Sequence, residues 1–210
     1  MRFTKPISDR QIDILPEHFV WWDQITPDDV ERLKRAIDAA SDEHQLQEFL
    51  ENNPIFMIQH FSGGHGRWVI PQKRLGCDYV PDFVIGHRHS FGFEWQAVEL
   101  ESPKAKLFNR NGNYSSSLTH AIRQIMDWRE WLTKNIDYAS RSKDNNGLSL
   151  SDITGNVPGL IIIGRRAEID SSIDGKRKQI KASMNIEIHT YDYLIDFSQG
   201  RVNALTHTIP

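Results

Sequence analysis

The segment FGFEWQAVELE, residues 91–101, alternates in character along its whole length and predicts a β-strand. Successive side chains of a strand point to opposite faces of the sheet. One face therefore carries Phe91, Phe93, Trp95, Ala97, Glu99 and Glu101. A face that begins aromatic and ends acidic is typical of a strand that starts in a core and ends in a cleft. Two neighbouring carboxylates repel each other unless a cation or solvent separates them.

The chain has 210 residues, which suits one domain with an N-terminal appendage. We predict an arm and helix over residues 1–40 and a domain over residues 41–210. No apolar run approaches the roughly 20 residues that span a bilayer, so no membrane partner is expected. One cysteine, Cys77, and the lack of a signal-like N-terminus favour a cytoplasmic protein. The net charge of −3 neither favours nor excludes nucleic acid.

Helical spacing and turn residues predict the elements of the first half. Thr26 and Pro27 look like the start of a first helix, and Ser41 looks like the cap of a second helix that ends at Asn52. Two strands follow, RWVIPQ and YVPDFVI, and the segment GHRHSFG, residues 86–92, is predicted to be a turn before the third strand.

The second half begins with a basic loop over residues 102–117. Ser117 is the predicted cap of the longest helix, LTHAIRQIMDWREWLTKN. A polar loop over residues 139–158, a buried strand in GLIIIGR, a short basic helix in KRKQIKASMN and a last strand in IEIHTYDYLI follow. The order predicts an α/β fold with a mixed β-sheet flanked by helices.

Asp82 and Glu99 lie on strands that a short turn can join as a hairpin. The two carboxylates are therefore expected to meet near the sheet edge. Mg²⁺ prefers oxygen ligands, usually one or two carboxylates together with water and phosphate oxygens. Such an ion can stabilise the charge that develops during phosphodiester hydrolysis. This acidic pair predicts a divalent-metal site.

Four segments, FLENNP, VPDFVI, AVELESPKAKLF and HAIRQIMDWREWL, together resemble the Shedu family, whose core is similar to the PD-(D/E)xK nuclease superfamily. The likeness extends over roughly residues 40–195. It implies a restriction-endonuclease-like core with the order α-β-β-β-α-β. It also implies a DNA endonuclease of bacterial anti-phage defence that depends on Mg²⁺ or Mn²⁺.

The resemblance assigns roles to individual residues. Asp82 and Glu99 match the two metal-binding acids, Gln124 matches a glutamine beside the metal, and Glu43 matches a glutamate of the first core helix. The family pattern expects a lysine where this chain has Glu101. We predict that Lys104 takes the role of that lysine, with Lys106 and Lys73 as alternatives. The residues expected to contact DNA are Lys106, Arg110, His120 and Arg123.

Several features also have simpler interpretations. Asp82 could be a turn residue, and Glu99 and Glu101 could pair with loop lysines in solvent. Glu130 and Lys134 are expected to pair on the helix surface, and Arg129 is expected to keep its head in water. A zinc site is disfavoured because no compact ligand spacing links the remaining candidates, which are His60, His65, Cys77, His87 and His89.

Two functions from different classes remain. The first is the metal-dependent nuclease, with DNA as its partner. The second is a catalytically weak module that binds DNA or senses a phage protein, which the missing lysine favours. The aromatic residues of FVWWD, together with Trp128 and Trp131, favour a homo-oligomer in either case.

Overall fold

The computed structural model describes residues 14–62, 65–75, 79–169 and 171–207. The α-helices are α1 (Pro27–Ala39), α2 (Glu43–Asn52), α3 (Ser116–Lys134), α4 (Ile136–Ser140), α5 (Ser171–Met184) and α6 (Asp192–His207). The strands are β1 (Gly66–Pro71), β2 (Phe83–His89), β3 (Gly92–Leu100), β4 (Gly159–Ile162) and β5 (Ile186–His189).

The five strands form one mixed sheet in the order β1-β2-β3-β4-β5. Strands β1, β2 and β3 are antiparallel neighbours, whereas β3, β4 and β5 run parallel. Parallel neighbours need a long crossover, and α3 and α5 lie in those two crossovers. The predicted α/β fold with helices flanking a mixed sheet is confirmed.

Each face of the sheet has its own core. One core joins α3 and α5 to the sheet through residues such as Leu118, Ile125, Ile180 and Ile161. The other core joins α1, α2 and α6 to the opposite face and includes Val30, Leu46, Leu194 and Leu100. The first helix therefore packs in the same core as the sheet.

The helix starts follow local capping chemistry. Thr26 and Asp29 form a capping box at α1, as the sequence predicts. Helix α2 is capped by Asp42, whose side chain accepts from the Gln45 N–H at 3.1 Å, so the prediction of Ser41 was wrong by one residue. Helix α3 is capped by Ser115 rather than Ser117.

The predicted turn at residues 86–92 is mostly strand. Strand β2 continues to His89, and the turn is confined to Ser90 and Phe91. Gly86 belongs to the strand because it lies opposite Trp95, and an added Cβ would come within 2.5 Å of Cε3 of that indole ring. This glycine makes room for an aromatic ring and does not mark a turn.

The predicted last strand ends early. Only Ile186–His189 is strand, and α6 begins at Asp192. Buried residues at Leu194, Ser198 and Val202 repeat every four positions, which is helical spacing. The segment IEIHTYDYLI contains both β5 and the first turn of α6. Its alternation of apolar and polar residues continues past the end of β5, so the start of the helix was taken for strand.

The aromatic arm packs on the core. Phe19 forms an isolated bridge to Trp68, and Trp22 lies under the guanidinium groups of Arg67 and Arg201 at 4.8 and 4.7 Å. Residues 1–13 of the predicted arm lie outside the described residues. Trp128 is buried, so it offers no surface for self-association. In the described ranges no helix combines the length and the apolar character needed to cross a bilayer.

The prediction that the guanidinium group of Arg129 lies in water is wrong. Its guanidinium donates to the carbonyl oxygens of Val157, Met184 and Asn185 at 2.9, 2.6 and 2.8 Å. Helix α3 is thereby tied to the end of α5 and to the approach to β4. The predicted surface pair of Lys134 and Glu130 is confirmed at 2.5 Å.

Candidate metal centre

The β2–β3 hairpin brings Asp82 and Glu99 together, as the sequence predicts. Asp82 directly precedes β2, and the antiparallel register pairs Phe83 with Val98. The backbone N–H of Leu100 donates to Oδ2 of Asp82 at 2.8 Å. This bond fixes the Asp82 carboxylate beside the end of β3, next to Glu99.

Glu99 is the most deeply buried of the acids, with 3% of its surface exposed. Nε2 of Gln124, on α3, donates to Oε1 of Glu99. The second oxygen, Oε2, is buried and has no hydrogen-bond partner among the described residues. Burial, together with the charges of Asp82, Glu43 and Glu101, raises the pKa of Glu99 to about 10. An unpartnered buried carboxylate oxygen calls for a ligand.

Two further carboxyls are also held in an environment that resists their ionisation. Burial, with a further contribution from the charge of Glu101, raises the pKa of Asp82 to about 6, although the hydrogen bond from the Leu100 N–H opposes the rise. Burial raises the pKa of Glu43 to about 7, with Asp82 and Glu101 as the next contributors. Glu43 is in the first turn of α2, so this helix brings a third element to the group.

Glu101 follows β3 and occupies the position where the family pattern expects lysine. Nδ1 of His120 lies 3.2 Å from its Oε1, and Ser117 also hydrogen bonds to its side chain. Burial raises the pKa of Glu101, while His120 and Ser117 oppose that rise. Tyr191 donates its hydroxyl to the Glu101 backbone oxygen at 2.9 Å. Helix α3 therefore holds the Glu101 carboxylate, while Tyr191 holds the backbone of the same residue.

The donor set fits a divalent cation such as Mg²⁺. The four acids, Glu43, Asp82, Glu99 and Glu101, come from three separate parts of the chain and act on each other's pKa values. They offer oxygen atoms only, which is what Mg²⁺ and Mn²⁺ prefer. Crowded carboxylates cannot all ionise without a compensating charge. A bound cation would supply that charge.

The structure places none of the three lysines considered above on the carboxylates, within the chain segments described. Lys104 is exposed, and its backbone N–H donates to Ser102 Oγ at 3.2 Å. Lys106 lies 3.5 Å from Glu168, and Lys73 donates to the Leu148 carbonyl at 3.1 Å. The assignment of the lysine role to Lys104 stays a prediction, and Lys73 is engaged elsewhere.

The residues expected to contact DNA lie on α3 and on the loop between β3 and α3. His120 contacts Glu101 and is 56% exposed at its side chain. Arg123 is exposed one turn further along α3, and Arg110 is exposed on the loop between β3 and α3. Their roles at phosphate groups stay predictions.

Sequence reasoning missed two residues at this site. Ser117 was read as a helix cap, yet its spacing to His120 and Gln124 already puts all three on one face of α3. Tyr191 was hidden inside the segment misread as a strand. Its burial raises its pKa well above the ordinary value, so the hydroxyl keeps its proton and can donate.

Comparison with known proteins gives one finding for most of the chain. Residues 40–195 match the family model described as Shedu protein SduA, C-terminal. The matched range contains all four carboxylates, Gln124 and His120. No curated protein matched the chain.

Proposed function

The chain belongs to the Shedu protein SduA C-terminal family, and from that premise we propose that it is a Mg²⁺- or Mn²⁺-dependent DNA endonuclease of anti-phage defence. The proposal includes a restriction-endonuclease-like core of the PD-(D/E)xK type, to which the β2–β3 hairpin and α3 contribute the site. Family membership supports the role in defence. The side chains of the site itself support the chemistry.

One observation carries the proposal. Asp82 and Glu99 meet at the end of a buried hairpin, and Oε2 of Glu99 has no partner in the described part of the chain. A structural carboxylate at such a depth would be paired or hydrogen bonded. A carboxylate that serves a cation keeps an oxygen free for it.

The residues of the chain have separable tasks in this proposal. Asp82, Glu99 and Glu43 hold the cation, and Gln124 fixes the plane of the Glu99 carboxylate. When bound, the cation supplies charge stabilisation and polarises the scissile phosphate. Glu101 and His120, 3.2 Å apart, can hold or move a proton at the position that lysine usually fills.

The basic residues around the group provide the proposed contacts to DNA. Lys106, Arg110 and Arg123 are all exposed, and they lie on the loop after β3 and on α3. Such side chains position a nucleic-acid backbone without reading its sequence. These residues therefore have binding roles, whereas Lys104 keeps its predicted role beside the carboxylates.

Nicking of supercoiled plasmid DNA with Mg²⁺ or Mn²⁺ tests the proposal. Asp82→Asn removes a carboxylate with little change in volume. We expect it to lower the nicking rate at least about 10- to 100-fold, because a cation ligand is lost. The matched control Glu130→Gln changes an exposed acid of α3 and should nick like the wild type. Full activity of folded Asp82→Asn would overturn the proposal.

A second candidate is a catalytically weak module that binds DNA or a phage protein. It is favoured by one observation, the replacement of lysine by Glu101 without a substitute lysine in contact, as far as the described residues extend. A folded wild type that binds DNA but does not nick it with any divalent cation would favour this candidate.

A further inference from the structure

The β2–β3 hairpin carries a second group of metal-ligating side chains at its other end. His87 and His89 are two residues apart on β2 and share one face of the sheet. Glu94, on β3, lies directly opposite His87 in the antiparallel register. Three side chains of ligand type therefore meet on one face of the hairpin, beside its turn.

The distances show a compact arrangement. Nε2 of His87 lies 2.9 Å from Oε2 of Glu94, and Nε2 of His89 lies 3.0 Å from Oε1 of the same residue. One ligand atom from each residue can be chosen so that all lie within 4.8 Å of one another. A single carboxylate thus faces two imidazole nitrogens.

The surroundings hold the imidazole rings in place. The ring of Phe61 stacks on His87 with centroids 4.4 Å apart and planes 5° apart. The side chains of His87 and His89 are only 13% and 25% exposed, whereas that of Glu94 is 65% exposed. The rings are therefore oriented in advance, and the carboxylate side remains open to solvent.

We propose that His87, His89 and Glu94 bind a zinc ion on the outer end of the hairpin. Two imidazoles and one carboxylate are a donor set that suits Zn²⁺, and three protein ligands leave one position for water or another ligand. The ion joins β2 to β3 next to their turn and stabilises the hairpin. This proposal does not depend on the nuclease assignment.

The zinc site and the acidic group are distinct. Asp82 precedes β2, whereas His89 ends it, so the two residues are seven steps apart along the strand, which is roughly 20 Å. The acidic group offers only oxygen atoms, which suit Mg²⁺, and the hairpin offers nitrogen atoms, which suit Zn²⁺. The two sites should therefore select different ions.

Zinc binding has a local cost at the turn. The backbone N–H of Phe91 donates to Nδ1 of His89 at 3.1 Å. Binding through Nε2 places the ring proton on Nδ1, so that hydrogen bond must be released. Phe91 lies in the exposed two-residue turn, and its amide can then bond to water.

Cobalt absorption gives a direct test, since four-coordinate Co²⁺ in the zinc site absorbs visible light. The untagged chain is titrated in a Cys77→Ser background, which removes its single thiol, with excess Mg²⁺ to fill the acidic group. We expect one bound Co²⁺ per chain, which Zn²⁺ displaces, and a rise of a few degrees in Tm with Zn²⁺.

The variants identify the ligands. His89→Ala and Glu94→Gln should each weaken Co²⁺ binding at least about tenfold. The control His44→Ala, an exposed histidine of α2, should bind like the parent. Glu94→Gln is a surface change and keeps the test valid if His89→Ala does not fold. Absence of the visible band in the parent, or unchanged binding in both ligand variants, would overturn the proposal.

Discussion

At the scale of single residues, the acidic group shows which parts of a site a sequence can predict. Alternation along β3 and the short turn were enough to bring Asp82 to Glu99, whereas the family resemblance was needed to place Gln124 beside them. The contact between His120 and Glu101 was not predicted, because it depends on how the loop after β3 meets α3. The orientations of the Lys104 and Lys106 side chains depend on the conformation of that same loop.

The buried acids make stability depend on pH. The pKa values of Asp82, Glu43 and Glu99 are raised to about 6, 7 and 10. A raised pKa means that the folded state binds more protons than the unfolded state over this range. The contribution of these carboxyls to the free energy of unfolding is therefore fully present below their ordinary pKa values. It is lost as the pH rises through their pKa values in the folded protein.

Glu99→Gln tests this pH dependence. In EDTA, the free energy of unfolding of the wild type should fall between about pH 5 and pH 8. Glu99→Gln removes the group with the highest pKa and should raise the unfolding free energy at about pH 8 by about 1 to 3 kcal/mol. Urea denaturation at both pH values measures this. A variant that is less stable than the wild type at the higher pH would contradict the account.

At the scale of elements, the sequence predicted the strands and helices that have a regular apolar spacing. It missed elements whose residue pattern fits more than one kind of structure. Strand β3 and helix α3 have long, clear periods and were predicted nearly to their ends. Helix α6 was missed because its first turn continues the polar alternation of β5. Gly86 and the histidines of β2 were taken for a turn because glycine is common in turns. The real reason for the glycine, its contact with the Trp95 ring on β3, depends on strand pairing and is not visible in the local sequence.

Arg129 gives an element-scale prediction. Arg129→Ala should lower the free energy of unfolding by about 3 kcal/mol, because three carbonyl oxygens at the junction of α3, α5 and β4 lose their donor. Urea denaturation measures the change. The control Arg123→Ala removes an exposed arginine of the same helix and should remain within about 0.5 kcal/mol of the wild type. Equal stability of the two variants would contradict the role given to Arg129.

At the scale of the whole molecule, the β2–β3 hairpin keeps two groups of candidate metal ligands apart. The acidic group lies at one end of the β2–β3 hairpin, within the range that matches the Shedu protein SduA C-terminal family. The other end of the same hairpin carries the two histidines and Glu94. A hairpin buried in two cores is a rigid support, so neither group needs a mobile loop to bring its ligands together.

The central claim is that Asp82 and Glu99 jointly hold a divalent cation. Crystals of the protein soaked in Mn²⁺ test it directly, because an anomalous difference map locates manganese without reference to activity. The account predicts a peak in contact with carboxylate oxygens of both Asp82 and Glu99, absent from Glu99→Gln crystals. A map without a peak between these two residues, at a manganese concentration that fills other sites, would contradict it.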